Sequence, residues 1–335
     1  MRLDTAPLSN NMRPSPSTPR PAPLGTSAAW LRLCALLCAL VLAGATAPAA
    51  RGQATIYVDQ AATGANDGSL WADAYTSLQD ALDAASGSDE IYIAQGTYYP
   101  DEGPVASRLA SFTITGDQDG LEIYGGFEAG DAFADRSPAD HPVLLSGDID
   151  QDNTSANNSY HVVVMDGGNA EDIGVISSEI TLNTELNGVT ITGGNASDSI
   201  EDDRGAGLYC DGEDGKCSPT LNNIIFSNNS SDGIGGGMYN NGIRGISNPK
   251  ITNSVFSNNS SGTGGAMFNS AEGGGKSNPE ITNVTFNQNS ASNVGGAIFN
   301  NVGFSGGTSN PVIVNTIIYG NTPDQIANNN ATPAV

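Results

Sequence analysis

Four segments of the chain open with proline and run in parallel: PTLNNIIFSNN from Pro219, PKITNSVFSNN from Pro249, PEITNVTFNQN from Pro279 and PVIVNTIIYGN from Pro311. Their starts lie 30, 30 and 32 residues apart. A second motif recurs between them: GGGMYNN (Gly235 to Asn241), GGAMFNS (Gly264 to Ser270) and GGAIFNN (Gly295 to Asn301). Self-similarity at such a period makes a solenoid, in which each repeat packs on its neighbours. The apolar runs are short, β-branched or aromatic, and bounded by Gly, Asn, Ser and Pro, which is the composition of strands. Two short strands per repeat are expected. No Asn-Gly or Asp-Gly turn joins them as a hairpin, so the chain reads as a coil of parallel strands.

Stacking in register makes physical sense of the columns. Leu221, Ile251, Ile281 and Ile313 form one expected interior ladder, and Phe226, Phe256, Phe286 and Ile318 form another. Asn223, Asn253, Asn283 and Asn315 sit between the ladders, where the chain must bend. Asparagine tolerates the left-handed conformation, and stacked amides bond from rung to rung. Proline lacks an N–H and therefore marks the first residue of each strand. The fold class is all-β, a parallel β-helix.

The Gly-Gly-Ala-Ile-Phe-Asn run and the Phe-x-x-Asn spacing (Phe226 with Asn229, Phe256 with Asn259, Phe286 with Asn289) resemble the repeats of the chlamydial polymorphic outer-membrane proteins. More broadly the chain resembles the right-handed parallel β-helix proteins of the pectin-lyase-like superfamily, secreted by Gram-negative bacteria. That resemblance implies a right-handed coil. It leaves function open, because the architecture carries lyases, hydrolases, adhesins and stalks.

Residues 1–54 read as an export signal. Arg2, Arg13 and Arg20 precede an apolar run from Leu31 to Ala47, too short for a comfortable membrane span, and Gly52-Gln53-Ala54 offers small residues for cleavage before Thr55. Removing this segment leaves 7 basic and 35 acidic residues, a net charge of −28. Such a surface excludes nucleic acid and anionic membranes as partners. It suits a saline habitat, or carboxylates offered to divalent cations.

Residues 55–335 form one elongated β-helix by this reading. Within 55–100, Thr55 to Asp59 is a strand, Ser77 to Ala85 an N-terminal capping helix with Thr76 and Gln79 as a capping box, and Glu90 to Tyr98 the first full rung. Irregular coils follow over 101–195, with strands at Phe112 to Thr115, Leu121 to Tyr124, Val143 to Ser146, His161 to Met165 and Glu179 to Leu182. Regular coils occupy 196–321. Residues 322–335 read as a tail without a further Gly-Gly strand, so the chain is expected to stop short of its natural end and to fray or self-associate there.

Three places could carry chemistry. Asp148, Asp150 and Asp152 alternate in a loop, as calcium ligands do; an EF-hand would have Gly and Glu where Asn153 and Ser159 stand, and a solvated acidic turn remains the alternative. Asp198, Glu201, Asp202, Asp203, Asp211, Glu213 and Asp214 crowd around Arg204. Comparison with pectinolytic β-helix enzymes implies a carboxylate pair at Asp202 and Asp203. The Gly-His-Gly and Arg-x-Lys of the superfamily's hydrolases are absent, however, and neither histidine (His141, His161) has that setting. Cys210 and Cys217, the only cysteines after residue 54, enclose DGEDGK and read as a disulfide in an exported protein. The expectation is a non-catalytic, secreted or cell-surface β-helix that contacts a glycan or a cell-surface partner, with calcium as its one candidate cofactor. The alternative is a polysaccharide lyase or glycoside hydrolase acting on acidic polysaccharide.

Overall fold

Leu221, Ile251, Ile281 and Ile313 are register partners on four successive parallel strands, and so are Phe226, Phe256, Phe286 and Ile318. The three phenylalanines are fully buried, and their rings stack at 4.3 and 4.8 Å with an 11° tilt. Both interior ladders therefore form as the repeat dictates, because inward positions one period apart must meet in a coil. Asn223, Asn253, Asn283 and Asn315 turn the corner between them with φ of 56°, 52°, 57° and 49°. Their exposed amides bond along the axis, as Asn283 does to Asn253 at 3.2 Å.

The structure, a computed structural model, describes residues 52–101, 103, 107–168, 179–197, 203–303 and 306–330. The export signal expected over 1–54 falls outside these residues up to Arg51. The eight-stranded sheet 1 runs from Thr55–Val58 to Val312–Val314, which fixes about eight coils. Two seven-stranded sheets and a four-stranded ribbon complete the wall. Sheet 2 carries the phenylalanine column. Sheet 3 carries the Gly-Gly motif strands, among them Leu208–Asp211, Met238–Asn241, Met267–Ser270 and Ile298–Asn301. The solenoid is parallel throughout these sheets.

The regular coils hold more strands than the expected two. The left-handed asparagine splits each Pro-initiated segment into two strands, Thr220–Asn222 and Ile225–Ser227 in one coil, and a short ribbon strand such as Ser230–Ser231 follows. The Gly-Gly pair is steric in origin. Gly235 has φ +64°, and a Cβ on Gly236 would meet the carbonyl of Ser260 at 2.2 Å.

Two further asparagine ladders lie inside the coil, where sequence reading did not place them. Asn229, Asn259 and Asn289 each pass an amide hydrogen to the next, at 3.0, 2.9 and 2.8 Å, ending on Asn321. Each also donates to a carbonyl, of Ile191, Phe226 and Phe256 respectively. In sheet 3, Asn240, Asn269, Asn300 and Asn328 repeat the device at 2.7 to 2.8 Å. Apart from Asn240 Oδ1, which heads the second ladder without a partner, the buried amides satisfy one another and so fix the register.

Several expectations need correction. The helix spans Leu78–Ala84, buries Leu78, Ala81 and Leu82, and is capped by Ser77, whose hydroxyl accepts from the Asp80 amide. Thr76 instead bonds to Asn66, so the Thr76–Gln79 box does not form. Glu179 to Leu182 is no strand; only Ile180 bridges, to Cys217, because Thr181 is drawn onto the Asp119 carboxylate. His161 precedes the strand Val163–Asp166 and packs on Tyr209. The tail is partly ordered: Ile326–Asn329 pairs with Ile298–Asn301, because Asn328 continues the inner ladder. Among the described residues no helix is long and apolar enough to cross a membrane.

Candidate functional site

Alternation along a strand puts residues two apart on one face. In sheet 1 the inward residues are Ile56, Ile91, Ile123 and Leu186, all buried, so their neighbours face outward. That outward face repeats a pair. The Tyr92 hydroxyl donates to Glu90 at 2.7 Å, the Tyr124 hydroxyl to Glu122 at 2.8 Å, and the Asn187 amide to Glu185 at 2.8 Å. Glu90, Glu122 and Glu185 are register partners on adjacent rungs. Burial and the bonded glutamates push both phenols well above the usual tyrosine range.

The tyrosines form a wall. Tyr57, Tyr92 and Tyr124 follow one another edge to face, with centroids 5.9 and 6.1 Å apart. Two long excursions lay rings over them. Trp71 approaches Tyr57 to 4.8 Å, and Phe133, half exposed, stands 5.1 Å from Tyr124 and 5.5 Å from Tyr92. The buried Phe127 stacks on Tyr92 at 4.7 Å. Arg136 closes the far end: its guanidinium lies 5.3 Å over Tyr124 and donates to Gly125 and Asn187. Burial lowers its pKa, and the nearby Tyr124 and Glu185 oppose that shift. Sequence reading missed this wall, although the signal was present: Glu90-Ile91-Tyr92 recurs as Glu122-Ile123-Tyr124.

Of the expected Asp202–Asp203 pair, only Asp203 falls among the described residues. Asp203 lies 3.6 Å from Arg204, while Asp198, Glu201 and Asp202 fall outside the described residues. Glu213 and Asp214 turn instead to Arg244, at 2.7 and 2.5 Å, and the bond from Arg244 holds the Asp214 carboxyl below its usual range. Asp211 pairs in register with Asp166. Burial, together with Asp166 and Glu213, raises its pKa. Both carboxylates serve turns, Asp166 accepting the Gly168 amide and Asp211 the Glu213 amide. Asn241 and Asn301, one and three coils beyond Asp211 in the same column, accept the equivalent amides, so this column is a repeated turn.

Cys210 and Cys217 are joined by a disulfide, their Cα atoms 5.6 Å apart. Asp148, Asp150 and Asp152 bring carboxylate oxygens within 4.8 Å of one another. His161 Nδ1 lies 3.3 Å from the Gly205 carbonyl, and its ring packs on Tyr209.

No protein family model matches the chain, and no curated protein matches it. The likeness of the repeats to the polymorphic outer-membrane proteins thus stays a likeness of motif. Among solved structures, the pectin methylesterase from Aspergillus niger, in deglycosylated form, is similar over 85% of this chain and 87% of its own, at 15% identity and a TM-score of 0.30. The fold itself rests on the strand pairings described above.

Proposed function

We propose that the chain is an exported, non-catalytic β-helix that binds a glycan on the outward face of sheet 1. The observation that carries this reading is the repeated glutamate–tyrosine pair beside Trp71 and Phe133. Half-buried rings offer flat apolar faces for the C–H side of a sugar, and each adjacent carboxylate is a ready acceptor for its hydroxyls. Like charges in register are unfavourable within a sheet, so a column of three glutamates serves something other than stability. With so acidic a surface, the fitting glycan is neutral. The disulfide supports an oxidising compartment, consistent with the export segment over 1–54. The acidic composition supports a saline or cell-surface setting. Helix Leu78–Ala84, which contacts Phe112–Thr115 at the start of sheet 3, suits an N-terminal cap.

One observation favours the alternative, a hydrolase of acidic polysaccharide. Asp211, raised in pKa, stands beside Asp166, and glycoside cleavage uses two such carboxylates. Incubating the full chain with neutral, amino-sugar and uronate polysaccharides, with and without calcium, separates the readings. Binding without new reducing ends or unsaturated products is expected. Turnover lost in Asp211→Asn would establish the alternative.

A further inference from the structure

The loop 147–159 spends some of its carboxylate oxygens internally and leaves others unspent. Asp148 Oδ2 accepts the Asn153 amide at 3.1 Å, Asp150 Oδ2 the Asn157 side-chain amide at 3.0 Å, and Asp152 Oδ1 the Thr154 amide at 2.7 Å. The remaining Asp148 oxygen, Oδ1, is buried with no hydrogen-bond partner. Two more oxygens of the same loop share that condition, Asn158 Oδ1 and Ser159 Oγ, on residues only 4% and 0% exposed. The Asn158 amide is held at the Asp148 end of the loop. Its Nδ2 donates to Gly193 O, and Gly193 abuts the Gly147 and Asp148 backbone amides.

Buried acceptors without donors are rare in folded proteins and are explained by water or an ion. Here they lie on the loop that already brings three carboxylates within 4.8 Å. Donors cannot answer the need from nearby cations, because Arg108 is committed to the Asn158 and Asn195 carbonyls at 2.8 Å. We infer that the loop 147–159 is a calcium site, with Asp148, Asp150 and Asp152 as carboxylate ligands and Asn158 supplying its amide oxygen. The set is all oxygen, without histidine or cysteine, which selects a hard cation. Carboxylates joined by a neutral amide oxygen on an irregular loop suit calcium, which takes six to eight oxygens in flexible geometry, better than octahedral magnesium.

The site sits where it can lock the solenoid. Gly147 donates to Thr192 on the next coil, Asn195 donates to Ser159, and its side chain reaches Ser155. The loop thereby ties the irregular coils before it to the regular coils after it. Calcium binding should be read out in the melting of the full chain.

The test is thermal unfolding and calorimetric titration of the chelator-stripped full chain in calcium, in magnesium and in sodium chloride of matched ionic strength. One calcium per chain is expected, with a Kd of about 10⁻⁴ to 10⁻³ M, as for extracellular modules, and a rise of several degrees in Tm. Asp150 and Asp152 are exposed, so the variant Asp150→Asn/Asp152→Asn should fold, keep its calcium-free Tm and bind calcium at least about tenfold more weakly. A shift that magnesium reproduces overturns the proposal. So does binding of many weak ions, or a calcium response unchanged in the double variant. The wild-type stoichiometry decides the matter even if the variant is poorly folded.

Discussion

The Asn259 side-chain amide donates to Asn289 Oδ1 at 2.9 Å across thirty residues of sequence, and both side chains are buried. Asn259 Oδ1 in turn takes the backbone and side-chain amides of Asn229. One polar residue per coil therefore holds its neighbours in register from within the core. Asn259→Ala strands buried donors and acceptors on both sides, each costing about 1–3 kcal/mol. Asn253→Gly, at an exposed corner with φ 52°, keeps the backbone conformation and should cost under about 1 kcal/mol. Denaturant unfolding of the two variants measures the contrast.

Phe256 is stacked between Phe226 and Phe286 with no exposure, whereas Ser257 next to it is half-buried on the outer face. Phe256→Asp is expected to cost several kcal/mol by leaving a charge unpaired in the core. Ser257→Asp should change stability by less than about 1 kcal/mol. Equal losses of thermal stability would show that the inward column is misassigned.

Asp211 gives a pH signature. Its pKa is raised by folding, so the folded state holds the proton more tightly than the unfolded chain. The associated stability is fully present below the unfolded pKa and is lost as pH rises through the folded one. Asp211→Asn, which extends the column already occupied by Asn241, should therefore gain stability over the natural protein at neutral pH. The gain should vanish on acidification, and Tm measured against pH for both proteins checks the sign.

The disulfide closes a short loop, with its cysteines separated by 7 positions. In the chain-entropy account such a loop contributes about 2–3 kcal/mol. Cys210→Ala/Cys217→Ala should lose about that much by denaturant unfolding. Mass spectrometry of the intact protein should show the two peptides linked.

The coil, its ladders and its bends were legible because each repeats: Phe226, Phe256 and Phe286 announce a column by spacing alone. The inner amides were not placed. Asn229 and Asn240 look like turn residues in sequence, and only the coil's cross-section shows that they point inward. The Gly-Gly corner hid its cause for the same reason, since the steric conflict at Gly236 is with a carbonyl of the next coil. The Tyr57–Tyr92–Tyr124 wall lies in coils of unequal length, where 35 and 32 residues separate the tyrosines, so no fixed period drew attention to it. The Arg204 corner reads as a crowd of acids in sequence, but among its described carboxylates Asp203 pairs with Arg204, Glu213 and Asp214 pair with Arg244, and Asp211 holds a turn.

Trp71 lies on the wall proposed to bind glycan, and the only other tryptophan, Trp30, falls in the segment 1–54 proposed as an export signal. Tryptophan fluorescence of the exported chain thus reports on this face alone. The most direct measurement titrates that signal with neutral and uronate oligosaccharides, in the natural protein and in Tyr92→Ala/Phe133→Ala. A saturable change with neutral chains, absent with uronates and weakened at least about tenfold in the double variant, is the expected result. No response to any neutral glycan, or a response that the variant leaves intact, would contradict a glycan-binding function for this face.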